Sequence, residues 1–410
     1  MRVAQPGALV VGSDFKALGV VRSLGRRGIP CAVVDSLPRS AWFSRHVVGH
    51  YRWRGHMCGP AFLDFLLRLA DQDGLAGWML MPAQDEALEL VAQNWERLSQ
   101  TYRLVTQPWE LLCWAHDKRL LNQAADEVGV AHPRTWYPRN EDELQRLDVL
   151  FPAIIKPASS IDLQYSLGRK ALPARDRGQL AASYRAAAEV MPIERIMVQE
   201  IVPTTGQYSV AAFCVDGRIA SAMTARRTRQ FPIDYGLSSS FVEAVEVPGL
   251  IELAQKLLSR LRFTGMVEVE FITDSRDGEP KLLDVNPRPW GWHTLCIASG
   301  LDFPLMTYEL AHGRLPAAAA PVYGLRWIRL LTDAPAGLQA IRAGVLSPGD
   351  YVRSLWGRNV FSVLDFRDPL PALGDLAVAL NRIIRSAANG RSLHDLSAHP
   401  GPTRTGKIAV

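Results

Sequence analysis

The sequence predicts a chain of mixed α/β and α+β class, and three observations carry that reading. The stretch GALVVGSDFKALGVVRSLGRRGIPCAVVD, residues 7–35, runs strand, turn, helix, strand. Residues 265–294, GMVEVEFITDSRDGEPKLLDVNPRPWGWHT, read instead as an antiparallel hairpin followed by an aromatic segment. With 410 residues, 48% of them hydrophobic, the chain is long enough for two or three domains with well-buried cores.

The first stretch is one βαβ unit: apolar strand ends fall at Val10-Val11 and Ala32–Val34, with a helix centred on 18–26. Its turn, Gly12-Ser13-Asp14, lacks the G-x-G-x-x-G spacing of a dinucleotide site, although Asp35 stands where a ribose-binding acid would. Ser13, Asp14 and Phe15 at the first strand's carboxyl end are either substrate-binding candidates or a capped helix start. Further on, FPAIIKP (151–157) is a short apolar run ending in Lys156, and a lysine at the end of a buried strand is costly unless an anion meets it. RIMVQEIVP is β-rich and ends in Glu200-Ile201-Val202. In ARRTRQFPIDYGLSSSF (225–241), Arg226, Arg227, Arg229 and Tyr235 precede a Gly-Ser-rich stretch, which suits an anion-binding loop because guanidinium matches carboxylate bidentately. Unbroken alternation would place Arg227 and Arg229 on one face and Arg226 on the other.

In the hairpin, DSRDGEP is turn chemistry, and KLLDV is the return strand. Residues two apart share a face, so Glu268 and Glu270 point the same way, and the return strand can bring Asp284 and Asn286 alongside. Unneutralised, these carboxylates would repel. Hard oxygen ligands beside an amide and Arg288 are what a Mg²⁺–nucleotide site needs; the alternative is a surface hairpin with solvated acids. Pro287 holds Asn286 extended, which sets residues 284, 286 and 288 along one strand edge. Trp290, Trp292 and His293 follow and can wall a pocket; for His293, packing is the other reading and the one favoured over a role as base.

No apolar run of about 18 residues and no signal-peptide layout is seen, so neither a membrane span nor export is expected. Five cysteines without C-x-x-C pairing argue against zinc or a disulfide framework and suit core thiols in a reducing cytoplasm. A net charge of +5 without a dense Lys/Arg tract gives no reason to expect a nucleic-acid partner.

The hairpin resembles the metal-binding end of the ATP-grasp superfamily, whose members carry a V-E-F-like strand followed by an E-V-N-P-R-like strand. Asp284 replaces the usual Glu with one methylene less reach. The resemblance implies that Glu270, Asp284 and Asn286 bind Mg²⁺, with Mn²⁺ as a substitute, bridging ATP phosphates, and that Arg288 meets the transferred phosphoryl group. It further implies that Lys156 reaches adenine and the α-phosphate. Lys118, in AHDKRLLNQAADEVGV, would reach phosphate, its other reading being a solvated charge near a helix start. Glu200, Ile201 and Val202 would offer backbone groups to adenine, and Gln207 would hold ribose where an acid is more usual. The family's glycine-rich phosphate loop has only Gly168 here, with Ser159, Ser160, Arg169 and Lys170 as other donors.

Later segments resemble the bacterial ATP-grasp carboxylate-amine ligases or carboligases. The implied architecture is a Rossmann-like pre-ATP-grasp domain (1–112), a central lobe (113–192), a lobe with the metal hairpin (193–313) and a C-terminal extension with a frayed tail (314–410). The implied activity is ATP-dependent ligation of a small-molecule carboxylate to an amine through an acyl-phosphate, with Arg226, Arg227, Arg229, Trp290 and His293 around the substrate. Bicarbonate carboxylation and a non-catalytic nucleotide-binding role are the alternatives, and oligomeric state, a homodimer included, is left open.

Overall fold

A computed structural model describes residues 6–158, 171–232 and 238–388. Ser159, Ser160, Gly168, Arg169, Lys170 and Tyr235 lie outside the described residues.

The amino-terminal body is a parallel sheet of β1 (Ala8–Val11), β2 (Cys31–Asp35), β3 (Val47–Arg52) and β4 (Met79–Pro82), in the order β3-β2-β1-β4. β1, β2 and β4 are buried throughout, as parallel strands covered on both faces should be. Leu9, Val11, Ala32 and Val34 face a core with Phe62, Leu66 and Leu90. Ala8, Val10, Cys31 and Val33 face the opposite way, into a core shared with the largest sheet. The chain steps from β1 to β2 on one side and later returns to place β4 on the other. The turns after β1 and β4 therefore flank a topological switch point. The first of them is a capped helix start: Asp14 accepts from the backbone N–H of Lys16 and Ala17 and opens the helix Phe15–Gly25. Asp35 is buried and takes hydrogen bonds from Ser13 and Ser36, so it is a structural acid.

The central body is an antiparallel sheet of β5 (Thr135–Trp136), β6 (Ala153–Pro157), β7 (Leu172–Ala174) and β8 (Ile196–Glu200), ordered β5-β8-β6-β7. The helix Arg177–Ala188 covers it through Leu180, Tyr184 and Ala187. Because β8 pairs with β5 and β6, Ile196–Glu200 belongs with this sheet, and the expected border at residue 193 falls too early.

The largest sheet runs β13-β12-β9-β10-β11-β14-β15, from β9 (Thr204–Val215), β10 (Arg218–Phe231), β11 (Ser238–Ala244), β12 (Gly265–Asp274), β13 (Pro280–Asn286), β14 (Arg326–Ile328) and β15 (Asn359–Phe361). One face, with Val210, Ala212, Val267, Val269 and Phe271, packs under the helices Leu250–Arg260 and Lys118–Glu127. The other, with Ala211, Phe213, Met223 and Ala225, packs against Trp290, Trp292, Trp327 and the amino-terminal body. Gly19 permits that contact: a Cβ there would stand 2.4 Å from His293 Nε2.

The C-terminal segment is no separate piece. It donates β14 and β15 to the large sheet, and its helix Leu370–Ala388 docks on the amino-terminal body, where Gly374 abuts the Phe43 ring. Asp368, itself buried, accepts from Arg22 Nε (2.9 Å) and Ser44 Oγ (2.7 Å). No helix among the described residues is long and apolar enough to cross a membrane. Cys31, Cys214 and Cys296 are buried thiols as expected, whereas Cys58 is exposed and Cys113 half-buried.

Candidate active site

The hairpin forms in the register its alternation implies: Glu268 opposes Asn286 and Glu270 opposes Asp284. On its other edge β12 pairs with β9, which sets Ser209 beside Glu270 and Gln207 beside Ile272. Opposed residues share a face, so one surface of the sheet gathers Glu268, Glu270, Asp284, Asn286, Gln207 and Arg227. The Asn286 amide donates to Glu268 Oε2 (3.0 Å) and Glu270 Oε1 (2.8 Å), the place a cation between the carboxylates would take. Arg227 Nη2 lies 2.6 Å from Glu270 Oε2, and Lys118 Nζ 2.7 Å from Asp284 Oδ1. Glu270 and Asp284 thus each have a cation against them.

Glu268 differs, being 3% exposed. It accepts from Ser209 Oγ (3.0 Å) and Trp292 Nε1 (2.7 Å), and burial, then the neighbouring Glu270 charge, pushes its carboxyl up to about 8. Arg288, at the strand's end, grips Asp85 of the amino-terminal body bidentately, Nε to Oδ1 at 2.5 Å and Nη2 to Oδ2 at 2.8 Å. Burial opposes the charge of Asp85, yet Arg288 holds its carboxyl well below the usual carboxylate range.

Between the central and largest sheets opens a cleft of about 370 Å³, the size of a small-ligand site. Ile154, Lys156, Gln199 and the chain at Glu200, Ile201 and Val202 line one wall; Lys118, Gln207, Arg227, Ile272 and Asp284 line the other. Lys156 Nζ donates to Gln199 Oε1 at 2.8 Å, Arg227 Nη1 to Gln207 Oε1 at 3.2 Å. Two carboxylates and an amide at this mouth are hard oxygen ligands suited to Mg²⁺, which commonly takes one or two protein carboxylates and completes its shell with phosphates and water. Among the described residues no group of three or more His, Cys, Asp or Glu is arranged to hold a metal.

A family model described as ATP-grasp in the biosynthetic pathway with Ter operon matches residues 193–330, the hairpin included. A D-aspartate ligase of Enterococcus faecium is 22% identical over 317 residues, covering 73% of this chain and 75% of that protein. Among solved structures, N5-carboxyaminoimidazole synthetase from Staphylococcus aureus matches with a TM-score of 0.60 at 12% identity, over 78% of this chain and 80% of that one. L-amino acid ligase from Bacillus licheniformis matches with a TM-score of 0.57 at 13% identity, over 75% of this chain and 74% of the other. The chain thus resembles ATP-grasp ligases, in the family model that residues 193–330 match and in the fold of these neighbours.

Of the anticipated residues, Lys118, Lys156, Gln207 and Asp284 line the cleft, with Glu270 held to its lining residue Arg227 and Asn286 to Glu270, whereas several anticipated substrate contacts do not reach it. Trp290 and Trp292 are 2% exposed and His293 fully buried; they are core, with His293 Nδ1 2.8 Å from the Trp290 carbonyl. Arg226 is exposed on the opposite face of β10. The expectation that Arg227 and Arg229 share a face fails because a bulge sets Arg227 opposite Val242 and Arg229 opposite Phe241, adjacent residues that point to opposite faces. Arg229 instead pairs with buried Asp333 at 2.8 Å and lies 4.0 Å over the Phe241 ring. The Glu200 carboxylate is likewise occupied, accepting from Arg276 and the Arg134 amide, and the N–H groups of Glu200 and Ile201 bond to the Arg134 and Pro152 carbonyls.

The sequence reading passed over Asp85 and the Ser209 and Trp292 contacts to Glu268. Asp85 lies 203 residues from Arg288 and reads as an ordinary helix-start acid. Only its place directly after a buried strand of a βαβ-type region offered a hint.

Proposed function

We infer that this chain is an ATP-dependent carboxylate–amine ligase: ATP phosphorylates a small-molecule carboxylate, an amine attacks the acyl-phosphate, and an amide forms with ADP and phosphate released. The observation that carries the reading is that Asp284, Lys118 and Arg227 line one cleft, with Glu270 opposite Asp284 and against Arg227, and Asn286 against Glu270. The similarity to a D-aspartate ligase and an L-amino acid ligase supports an amino acid substrate. A biotin carboxylase-domain neighbour crystallised with MgADP supports Mg²⁺–nucleotide as the cleft's occupant.

In this reading Lys156 and the backbone at 200–202 hold the base and α-phosphate, and Gln207 the ribose. Lys118 and Arg227 turn from their carboxylates to phosphate, leaving Glu270, Asp284 and Asn286 to hold Mg²⁺ or, as a substitute, Mn²⁺. The metal's contribution is neutralisation of phosphate oxygens during transfer. Arg288 places fixed positive charge where the γ-phosphoryl group moves, and no covalent protein nucleophile is needed. The protein's surroundings, on this reading, are the cytoplasm that supplies ATP.

The test follows the donor oxygen. With ¹⁸O-labelled donor carboxylate, label appears in released phosphate in step with ADP and amide, because the acyl-phosphate passes that oxygen over when the amine displaces it. AMP and pyrophosphate, or unlabelled phosphate, would overturn the mechanism, and consumption of bicarbonate without an amine would favour carboxylation.

A further inference from the structure

Glu268 is buried on the face that carries Glu270, Asp284 and Asn286, and the ligase reading gives it no task. Its two oxygens are engaged differently. Oε1 accepts from Ser209 Oγ at 3.0 Å and from Trp292 Nε1 at 2.7 Å, whereas Oε2 accepts from the Asn286 side-chain amide at 3.0 Å. A serine hydroxyl can donate or accept, but an indole N–H can only donate. Trp292 is itself buried, packed edge-on against Trp290 with ring centroids 5.5 Å apart, so its donor is fixed in place by the core around it.

The Asn286 amide has two chemically different ends, and only its oxygen can serve a hard cation. Glu268 and Glu270 both accept from its nitrogen, while Arg288 Nη2, a pure donor, stands 3.3 Å from its oxygen. Acceptors on one side and a donor on the other leave the amide a single orientation. A cation taken up by Glu270 would draw that carboxylate off the amide, and Glu268 would then be the acceptor that still holds the nitrogen.

We propose that Glu268 is a positioning residue for the metal site: pinned by Trp292 and Ser209, it holds the nitrogen end of the Asn286 amide, so that the oxygen end is the one offered to Mg²⁺. This rests on the metal assignment in the ligase reading and adds the device that selects the ligating atom. The isosteric change Glu268→Gln exposes that device. An amide at 268 has one acceptor, and the Trp292 N–H claims it. The new nitrogen then faces Asn286 Nδ2 across the 3.0 Å contact, where two donors cannot meet, so Asn286 turns over and offers nitrogen in place of oxygen. Adding Asn286→Asp restores the match at unchanged total charge, because the amide at 268 donates to one oxygen of the new carboxylate and leaves the other for the metal.

The test reads metal binding rather than turnover. Calorimetry follows the affinity of a non-hydrolysable ATP analogue as Mg²⁺ is raised, and again in EDTA, for wild type, Glu268→Gln and the double variant Glu268→Gln with Asn286→Asp. The measurements are made at about pH 8.5, above the value of about 8 to which burial pushes the Glu268 carboxyl, so that wild type carries the carboxylate. Glu268→Gln is expected to need about 10- to 100-fold more Mg²⁺ for half-maximal tightening, the range for losing an outer partner of a metal ligand, with affinity in EDTA unchanged. The double variant is expected to recover most of that loss. Circular dichroism checks the fold of each. An unaltered Mg²⁺ requirement in Glu268→Gln, an equal loss of affinity in EDTA, or a double variant no better than the single one would overturn the assignment while sparing the ligase reading. Wild-type protein whose nucleotide affinity ignores Mg²⁺ would remove the metal site itself, and this assignment with it.

Discussion

At the scale of single residues, the site's charges come in pairs, which a nucleotide bound as proposed would break. Lys118 with Asp284 and Arg227 with Glu270 neutralise one another, which lets a dense cluster persist without ligand. Lys156 lines the cleft, where its ammonium can offer a nucleotide a charge-assisted hydrogen bond. Lys156→Met should therefore weaken ATP binding by about 1–3 kcal/mol with the fold retained, as calorimetry can measure; unchanged affinity would make Lys156 structural. His293 offers a separate residue-scale check. Burial pulls its imidazole down to about 4, from an ordinary value near 6.5. Between those values the unfolded chain binds a proton that the folded chain refuses, so its contribution to stability is full above about pH 6.5 and is lost as pH falls towards 4. Urea titrations of wild type should show about 2 kcal/mol less stability from this group at pH 5 than at pH 7.5. The same comparison for His293→Gln should show a smaller difference, and an identical pH slope in the two proteins would refute the attribution.

Among the secondary-structure elements, the hairpin and the strand beside it behave differently for one physical reason. β12 and β13 obey simple alternation as far as Glu270, so two-residue spacing puts four polar groups on one surface. β10 carries a bulge after Arg227, which sends Arg229 to the other face and into a pair with Asp333 on the helix Leu330–Arg342. That pair straps a C-terminal helix onto the largest sheet. Asp333→Ala strands a largely buried guanidinium and should cost about 3–5 kcal/mol in chemical denaturation. The double change Arg229→Met with Asp333→Leu should recover most of that loss, since it removes both charges from the core. A single-variant cost below about 1 kcal/mol would mean that solvent already reaches the pair.

Across the whole molecule, the amino-terminal body, the large sheet and the C-terminal segment share buried contacts. Trp290, Trp292 and Trp327 join the first two, and Asp368 with Arg22 and Ser44 ties in the third. The central body with Lys156 closes the cleft from the other side. A nucleotide that bridges the cleft should stabilise the fold by mass action, by about 2.7 kcal/mol at a hundred times its Kd. A non-hydrolysable ATP analogue with Mg²⁺ should thus raise the thermal midpoint of wild type. Glu270→Gln and Asp284→Asn should lose turnover and much of this Mg²⁺-dependent gain, because each removes a charged ligand and little volume. Normal activity in both at limiting Mg²⁺ would sink the metal assignment.

The sequence by itself determined what depends on neighbours along the chain. The βαβ start, the hairpin register, the shared face of Glu270, Asp284 and Asn286, and the strand-end position of Lys156 all follow from period-two alternation and turn chemistry. Tertiary structure alone decided what depends on partners distant in sequence. Asp85 looks like any helix-start acid until the switch point brings it to Arg288. Trp290, Trp292 and His293, just after β13 in sequence, are buried because the amino-terminal helix covers them, with Gly19 against His293. Arg229 left the face of Arg227 through a backbone irregularity that residue identity does not announce, and the C-terminal segment joined the main sheet through β14 and β15. Local rules assign a side chain to a face of its strand; only the packing of the other bodies determines whether that face meets solvent, core or cleft.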